Sequence, residues 1–362
     1  MKKKKWLIGI VVSLVLAISA GVLYFIDYQR KEAMRFMANL GNGINLGNNL
    51  DATGVQEYKS GASTEYYETY WHNPLITEEL FATISEAGFR SVRIPVTWDE
   101  HIDAEGNIES EWMNRVQEVV DMALAEDLYV ILDTHHETWL NLEQDKEEEI
   151  CEKLGKVWTQ IARRFQDYDE HLLFEGMNEP RLRDTEYEWT AGTEELQAMT
   201  NRLNRIFVDS VRAVGGDNED RYLLICPYAN RYETEALEAL EYFDGHTIVS
   251  VHAYIPYSFC EGDSSDRYFD ADDEKDTKKI DTLFGWLRKN YVERNIPVII
   301  TEFGSKDKDN KEDRLEWLQY YLTQAGESGV PCFWWDEGKE RKLIDRENLE
   351  WTEEEIVKML LQ

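Results

Sequence analysis

From Gly41 to the C-terminus, short runs rich in aliphatic and β-branched residues alternate with longer segments whose apolar positions recur with helical period. The strand candidates are Gly43–Leu46, Ser91–Pro95, Tyr129–Asp133, Leu172–Gly176, Tyr222–Cys226, Thr247–Val251, Pro297–Thr301 and Pro331–Trp335. Between and after them lie helix candidates at 76–87, 110–126, 147–166, 193–214, 233–242, 276–294, 311–328 and 352–361. Such an alternation calls for a parallel sheet with right-handed crossovers, and eight units close naturally into a (β/α)8 TIM barrel of the α/β class. A doubly wound open sheet would want a glycine-rich phosphate turn after its first strand, and Gly41, Gly43 and Gly47 do not form one before a helix. No internal repeat or second domain is visible, so the expected organisation is one catalytic barrel over 41–362.

The N-terminus follows a different pattern. Lys2 to Lys5 precede an uncharged run from Trp6 to Ile26, long enough to span a bilayer, and Ala17-Ile18-Ser19 offers small residues of the kind a signal peptidase needs. Residues 1–26 are therefore expected to be a signal peptide or a membrane anchor, with 27–40 a short linker outside the fold. Either reading sends the barrel out of the cytoplasm, secreted or held at the cell surface.

Composition narrows the partners. The chain has 39 Lys plus Arg against 72 Asp plus Glu, a formal net charge of -33, and residues 41–362 are more acidic still at -38. That charge repels phosphate backbones and anionic headgroups, which argues against nucleic acid and against any membrane contact beyond the N-terminal segment. A neutral ligand fits better, and 12 Trp, 19 Tyr and 13 Phe supply stacking surfaces as well as core. Cys151, Cys226, Cys260 and Cys332 show no paired metal-ligand spacing. Three buried thiols and one in a loop are expected, rather than disulfides.

In such a barrel the chemistry sits at the C-terminal ends of the strands. Strand two delivers Arg93, strand three Asp133 to Glu137, and strand four Asn178-Glu179-Pro180. Strand six gives His252-Ala253-Tyr254, strand seven Glu302-Phe303-Gly304, and strand eight Trp334-Trp335-Asp336. Two glutamates on opposite strands invite a two-carboxylate mechanism. The adjacent His135 and His136 could be read as a metal pair, but neighbours on a strand point oppositely, so no metal and no cofactor are expected. The acidic stretch from Glu261 to Asp276 lacks the glycine and terminal glutamate of an EF-hand and reads as a solvated loop.

Asn178-Glu179-Pro180 and Glu302-Phe303-Gly304, with Arg93, His135, His252 and Tyr254 between them, resemble glycoside hydrolase family 5, the large cellulase family. Asn45 to Asp51, Trp71-His72-Asn73-Pro74, His135 to Trp139 and Trp334-Trp335-Asp336 are similar to its subfamily 4 of endoglucanases, lichenases and xyloglucanases. The resemblance covers nearly all of 41–340. Thr301, where glycine is commoner, and Asn49, where threonine is frequent, depart from the pattern without removing a reactive group.

The resemblance implies a retaining endo-β-1,4-glucanase acting on cellulose, mixed-linkage glucan or xyloglucan by double displacement. Retention needs a carboxylate nucleophile and a carboxylic acid about 5–5.5 Å apart. Glu302 is assigned as nucleophile, because Arg93 and Tyr254, converging as the family implies, would hold it ionised. Glu179 is the acid and then the base, its pKa raised in the free enzyme by the neighbouring Glu302 charge. Asn178 would bond the sugar 2-hydroxyl, His135 and His252 the sugar or the carboxylates, and Trp335 would carry a sugar ring. Trp334, its strand neighbour, is expected in the helical layer. Asn48, His136, Trp71 and Trp139 complete the set around the mouth, and Glu137 is read as a loop residue outside the reaction. The expected partner is a polysaccharide, and the expected state a monomer. A β-mannanase or other plant-polysaccharide hydrolase of the same family, and a carbohydrate-binding barrel without catalysis, are the alternatives.

Overall fold

A computed structural model describes residues 21, 24, 26–59, 61–243 and 246–362. The signal or anchor reading falls almost wholly on residues outside this set; among the described residues no helix is long and apolar enough to cross a membrane.

Eight parallel strands close in sequence order, β1 Gly43–Leu46, β2 Ser91–Ile94, β3 Tyr129–Asp133, β4 Leu172–Glu175, β5 Leu223–Ile225, β6 Thr247–His252, β7 Val298–Phe303 and β8 Cys332–Asp336. Each is followed by its crossover helix: α1 Glu78–Ala87, α2 Ser110–Ala125, α3 Glu147–Arg164, α4 Glu194–Val214, α5 Thr234–Ala239, α6 Glu274–Asn290, α7 Lys311–Ser328 and α8 Glu354–Leu360. Side-chain caps start several of them: Thr77 accepts from Leu80 N, Thr193 from Leu196 N and Asp273 from Lys275 N. The expected barrel is therefore the observed one. The differences are local. β6 and β7 run on through His252 and Phe303, α5 is shorter than its sequence pattern, and a small hairpin pairs Ile344–Asp345 with Glu350–Trp351.

Strand alternation sorts the side chains into layers. Val130, Leu132, Leu172, Phe174, Val249, Val251 and Trp334 face outward and pack under the helices. Ile131, Leu173, Leu224, Ile248, Ile299 and Phe333 face inward and make an apolar layer low in the barrel. Above it the inward positions turn polar, with Asn45, Arg93, Asp133, Glu175, Ser250 and Thr301 all buried. Polar groups buried this deeply persist only if paired.

The apolar layer needs a floor. Residues 26–40, of which 27–40 were read as linker, are helical, and Ala33, Phe36, Met37 and Leu40 are buried against that layer. Phe36 stacks on Tyr222 with centroids 3.7 Å apart and meets Tyr129 edge-on at 5.3 Å. Ser91 Oγ donates to Leu40 O at 3.0 Å.

All four cysteines are free, and Cys226, Cys260 and Cys332 are buried. Cys151 is half-buried on α3, and Cys260, which falls between the predicted elements, is buried on a short helix at Tyr257–Glu261. Beside the acidic stretch, Lys308 Nζ donates to the carbonyls of Ser258, Phe259 and Asp266 and ties the loop to the segment after β7.

Candidate active site

Each strand end contributes one piece. Arg93, on β2, is wholly buried and spends its guanidinium on five partners: Glu175 Oε2 at 2.5 Å, Asn45 Oδ1 at 3.0 Å, Glu302 Oε1 at 2.7 Å, Asp133 Oδ2 at 2.7 Å and Asn178 Oδ1 at 2.9 Å. Burial works against its charge, but the facing carboxylates of Glu175, Asp133 and Glu302 outweigh that and keep it cationic. Behind it runs a hydroxyl relay in which Ser250 Oγ donates to Glu175 Oε1 at 2.6 Å and meets Thr301 Oγ1 at 2.5 Å. Thr301 thus adds a polar link at a position where the family more often has glycine.

Strand alternation alone would aim Thr301 and Glu302 to opposite faces. The β7–β8 register shifts between Ile300 and Phe303, and β6–β7 shifts at Val251/His252. Irregularities of this kind re-aim side chains. Thr301 reaches Ser250 inside the barrel while its neighbour Glu302 reaches Arg93 from the mouth.

Glu302 is 5% exposed. Arg93 donates to its Oε1, and Tyr254 OH donates to its Oε2 at 2.9 Å. Burial and the nearby Glu302 charge push the Tyr254 phenol well up, so it keeps the proton it donates. Burial also pushes the Glu302 carboxyl up, against His252 and Arg93. Its Oε1 nevertheless faces a guanidinium that cannot accept, and its Oε2 faces a phenol that keeps a proton to donate, which fits the ionised form.

Glu179 follows β4. His252 Nδ1 lies 2.9 Å from its Oε1 and 3.5 Å from Glu302 Oε2. One carboxylate oxygen from each glutamate and one His252 nitrogen lie within 4.8 Å of one another. The sequence reading expects the Glu179 pKa to be raised, and burial does act that way. The hydrogen bond and charge of His252, with the charge of Arg181, overcome burial and pull it down. His252 itself is buried, yet Glu302 and Glu179 lift it above the ordinary imidazole range. The three groups titrate as one unit, with the mobile proton on the imidazole side.

His135 Nδ1 bonds Asp133 Oδ2 at 2.7 Å, and its Nε2 faces Asn178 Nδ2 at 3.3 Å. Asp51, His135 and His136 come close enough to suggest a metal cluster, but both His135 nitrogens are already engaged. Burial pushes both imidazoles well down, leaving them neutral. Asn178 is held from behind by Asn230 Nδ2, which donates to its carbonyl at 2.9 Å.

Trp335 lies parallel to His135, with an interplanar angle of 2° and centroids 5.6 Å apart. It can lie flat because Gly47 has no side chain: a Cβ there would sit 2.6 Å from the indole. Trp334 is buried on the helix side and donates from Nε1 to Arg341 O.

These groups line an open cavity of about 570 Å³ that includes His135, His136, Asn178, Glu179, His252, Tyr254, Glu302 and Trp335. A cavity of about 440 Å³ at the opposite, floor end has no acidic side chain in its lining and cannot perform acid–base work.

Other expected residues stand further off. Trp71 meets His136 edge-on at 5.8 Å without lining the cavity. Trp139 donates to Glu137 Oε2 at 2.8 Å and carries Lys153 over its ring. Asn48 takes a left-handed conformation after β1 and lies outside the cavity lining. Glu137 is wholly buried, accepts from Trp98 N, and so braces the β3 loop. Asn49 ties the same rim to Pro74 O and to Arg346. The sequence reading placed Asp133 at the end of β3 without a role, and missed Arg181, Trp189, Asn230, Tyr232 and Arg341. Arg181 directly follows Asn178-Glu179-Pro180, and that adjacency was the available signal.

Residues 51–341 match the family described as cellulase (glycosyl hydrolase family 5). Endoglucanase A of Ruminococcus albus is 39% identical over 343 residues, covering 91% of this chain and 92% of that one. A GH5-4 broad specificity endoglucanase from Clostridium longisporum superposes with a TM-score of 0.84 at 37% identity, covering 91% of this chain and 97% of that one. A GH5 xyloglucan-specific endo-beta-1,4-glucanase from a metagenomic library, in complex with cellotriose, gives 0.86 at 37% identity, covering 92% and 99%.

Proposed function

The chain belongs to glycoside hydrolase family 5, with structural relatives in its subfamily 4, and we propose that Glu302 and Glu179 are the nucleophile and the acid/base of a retaining hydrolysis. The protein is an endo-β-1,4-glucanase that cleaves β-glucan chains. What supports the residue roles is one geometric relationship: an oxygen of each carboxylate approaches within 4.8 Å, and Glu302 is held by the fixed Arg93 cation and the Tyr254 phenol while Glu179 makes its shortest contact to His252, a group that can supply a proton. That proximity suits direct attack on the anomeric carbon and is shorter than the separation of about 6.5–9.5 Å at which an inverting pair holds its water.

In the first step Glu302 attacks the anomeric carbon while Glu179 protonates the leaving oxygen. The proton is close at hand, because His252 Nδ1 can pass it to Glu179 Oε1 across 2.9 Å. Once Glu302 is esterified its charge is gone, and Glu179 as the base activates water for the second step. Asn178, fixed by Arg93 and Asn230, bonds the 2-hydroxyl as positive charge develops on the ring. Neutral His136 can donate to or accept from sugar hydroxyls, His135 orients Asn178 through its Nε2, and Trp335 stacks on the ring's C–H face.

The relatives' breadth favours several β-glucans as substrates, xyloglucan among them. Polymers of this kind do not cross membranes, which places the enzyme outside the cytoplasm, secreted or anchored through residues 1–26. The test is product release by residues 27–362, which retain the floor helix, from carboxymethyl cellulose, barley β-glucan, xyloglucan, xylan and mannan, with Glu302→Gln as control. Internal cleavage of a glucan by the parent and silence from the control is the expected result. Activity on mannan alone, or a control as active as its parent, overturns it.

A further inference from the structure

Arg341, in the loop after β8, lines the same cavity as the two glutamates and is only 7% exposed. A guanidinium buried this far must be paired. Its backbone is set first: Trp334 Nε1 donates to Arg341 O at 2.8 Å, and Arg341 N donates to Glu337 Oε1 at 2.9 Å. From there the side chain runs over Gly304, where a Cβ would sit 3.1 Å from Arg341 Cδ. The glycine that ends Glu302-Phe303-Gly304 therefore leaves a track for this arginine. At its far end Nη2 donates to Glu261, the last residue of the short helix after β6, and Nη1 lies 3.6 Å from Glu337 Oε2. Lys306, after β7, pairs with the other Glu261 oxygen at 3.7 Å. Arg341 and Lys306 thus tie together the segments that follow β6, β7 and β8.

Between these anchors the guanidinium passes over Tyr254, with Cζ 5.4 Å from the ring centroid. A cation at that distance is attracted to the ring face, and it polarises the phenol so that the O–H becomes a better donor. Tyr254 spends that O–H on Glu302 Oε2 at 2.9 Å. Arg341 Nε is buried and has no hydrogen-bond partner among the described residues, so the side chain forgoes a bond of its own to hold this place. We propose that Arg341 is a positioning residue for the nucleophile that acts through Tyr254, holding the phenol ring in place and strengthening the hydrogen bond that keeps Glu302 aligned and ionised. This rests on the nucleophile role of Glu302.

The charged and titratable groups facing Glu302 are Arg93 from β2, Glu179 after β4, and His252 and Tyr254 from β6 and the segment after it. Those facing Tyr254 are Glu302, Arg341 and Glu261. Among the described residues, Tyr254 is the one ionisable side chain that meets both Arg341 and Glu302. Burial works against the Arg341 charge, and the facing carboxylates of Glu261 and Glu337 restore it.

The experiment is a double-mutant cycle on soluble barley β-glucan. In Arg341→Met, kcat is expected to fall about tenfold with KM within about twofold of the parent. The acid limb of the kcat/KM profile moves up by on the order of half a pH unit, because a weaker phenol donor leaves Glu302 easier to protonate. In a Tyr254→Phe background the same substitution should change kcat by less than about twofold, since the route is already cut. Arg341→Lys keeps the charge and therefore the limb, while losing the fork to Glu261; it also guards against misfolding of the Met variant. A clamp that served the loops alone would cost the same in both backgrounds and leave the limb unmoved. Either result, an equal loss of kcat with and without the Tyr254 hydroxyl or an unmoved limb in Arg341→Met, overturns the proposal. Glu302→Gln separates the two failures. If it turns over like its parent, the nucleophile role falls; if it is silent while Arg341→Met behaves as the parent, only the role of Arg341 does.

Discussion

Arg93 Nη1 donates to Glu302 Oε1 at 2.7 Å, joining β2 to β7 across the barrel axis through a side chain with no solvent exposure. One cation there faces three carboxylates, Glu175, Asp133 and Glu302. A buried ion cluster of this kind adds little net stability, because desolvation consumes most of the attraction. Its use is geometric. A guanidinium fork has fixed directions, so five acceptors around it fix one another, and Glu302 and Asn178 are aligned by the same group.

Replacing Arg93 by Met is expected to strand those carboxylates, costing about 3–5 kcal/mol of stability and lowering kcat on soluble β-glucan by at least about a thousandfold. Urea unfolding and initial rates measure the two effects. Arg93→Lys should recover much of the stability and little of the rate, since a point charge cannot make the fork; equal recovery of both would contradict the alignment role.

For Glu179→Ala, hydrolysis of polysaccharide is expected to fall by roughly a hundred- to ten-thousandfold. The first step on an aryl β-cellobioside with a strongly acidic phenol should fall far less, because that leaving group departs without a proton. A pre-steady-state burst of phenol would report a glycosyl-enzyme that now lacks its base. Equal loss on both substrates contradicts the acid role.

Phe36 closes the floor of the barrel by stacking on Tyr222. Phe36→Ala is expected to cost on the order of 3 kcal/mol by opening a cavity under the apolar layer. Because Glu179 and Glu302 sit at the other end, kcat at a temperature well below unfolding should stay within about twofold of the parent. Thermal unfolding followed with activity separates the two. A large loss of kcat without loss of stability would show that the floor governs the site.

Asp51 is wholly buried, and desolvation pushes its carboxyl up to about 7 in spite of backbone donors at Asn48, Asp51 and Asn49. Glu137 is pushed up to about 8 for the same reason, with Trp98 N and Trp139 opposing. In the folded state both hold their protons between pH 4.5 and 7, where the unfolded chain has released them. The native state then binds more protons, so stability falls as pH rises through that window, by up to about 1.4 kcal/mol per unit and group. Urea midpoints from pH 4.5 to 8 are expected to show a shallower decline in Asp51→Asn than in the parent. Parallel declines would mean that Asp51 is ionised in the folded protein.

The alternation of apolar strands and amphipathic helices determined the barrel, because period 2 and period 3.6 are local properties that survive without knowledge of any neighbour. The polar strand ends likewise announced a site, since a barrel concentrates its chemistry there. Arg93, Asn178, Glu179, His252, Tyr254, Glu302 and Trp335 were all legible in this way. Only the tertiary structure decided the rest. The helix at 26–40 reads as a linker because its burial comes from strands far away in sequence. Thr301 and Glu302 act on one cluster because register shifts override alternation. The direction of the Glu179 shift depends on His252, which is 73 residues distant. Each of these rests on distances between residues remote in the chain, and electrostatics and packing depend on those distances, which no local pattern encodes.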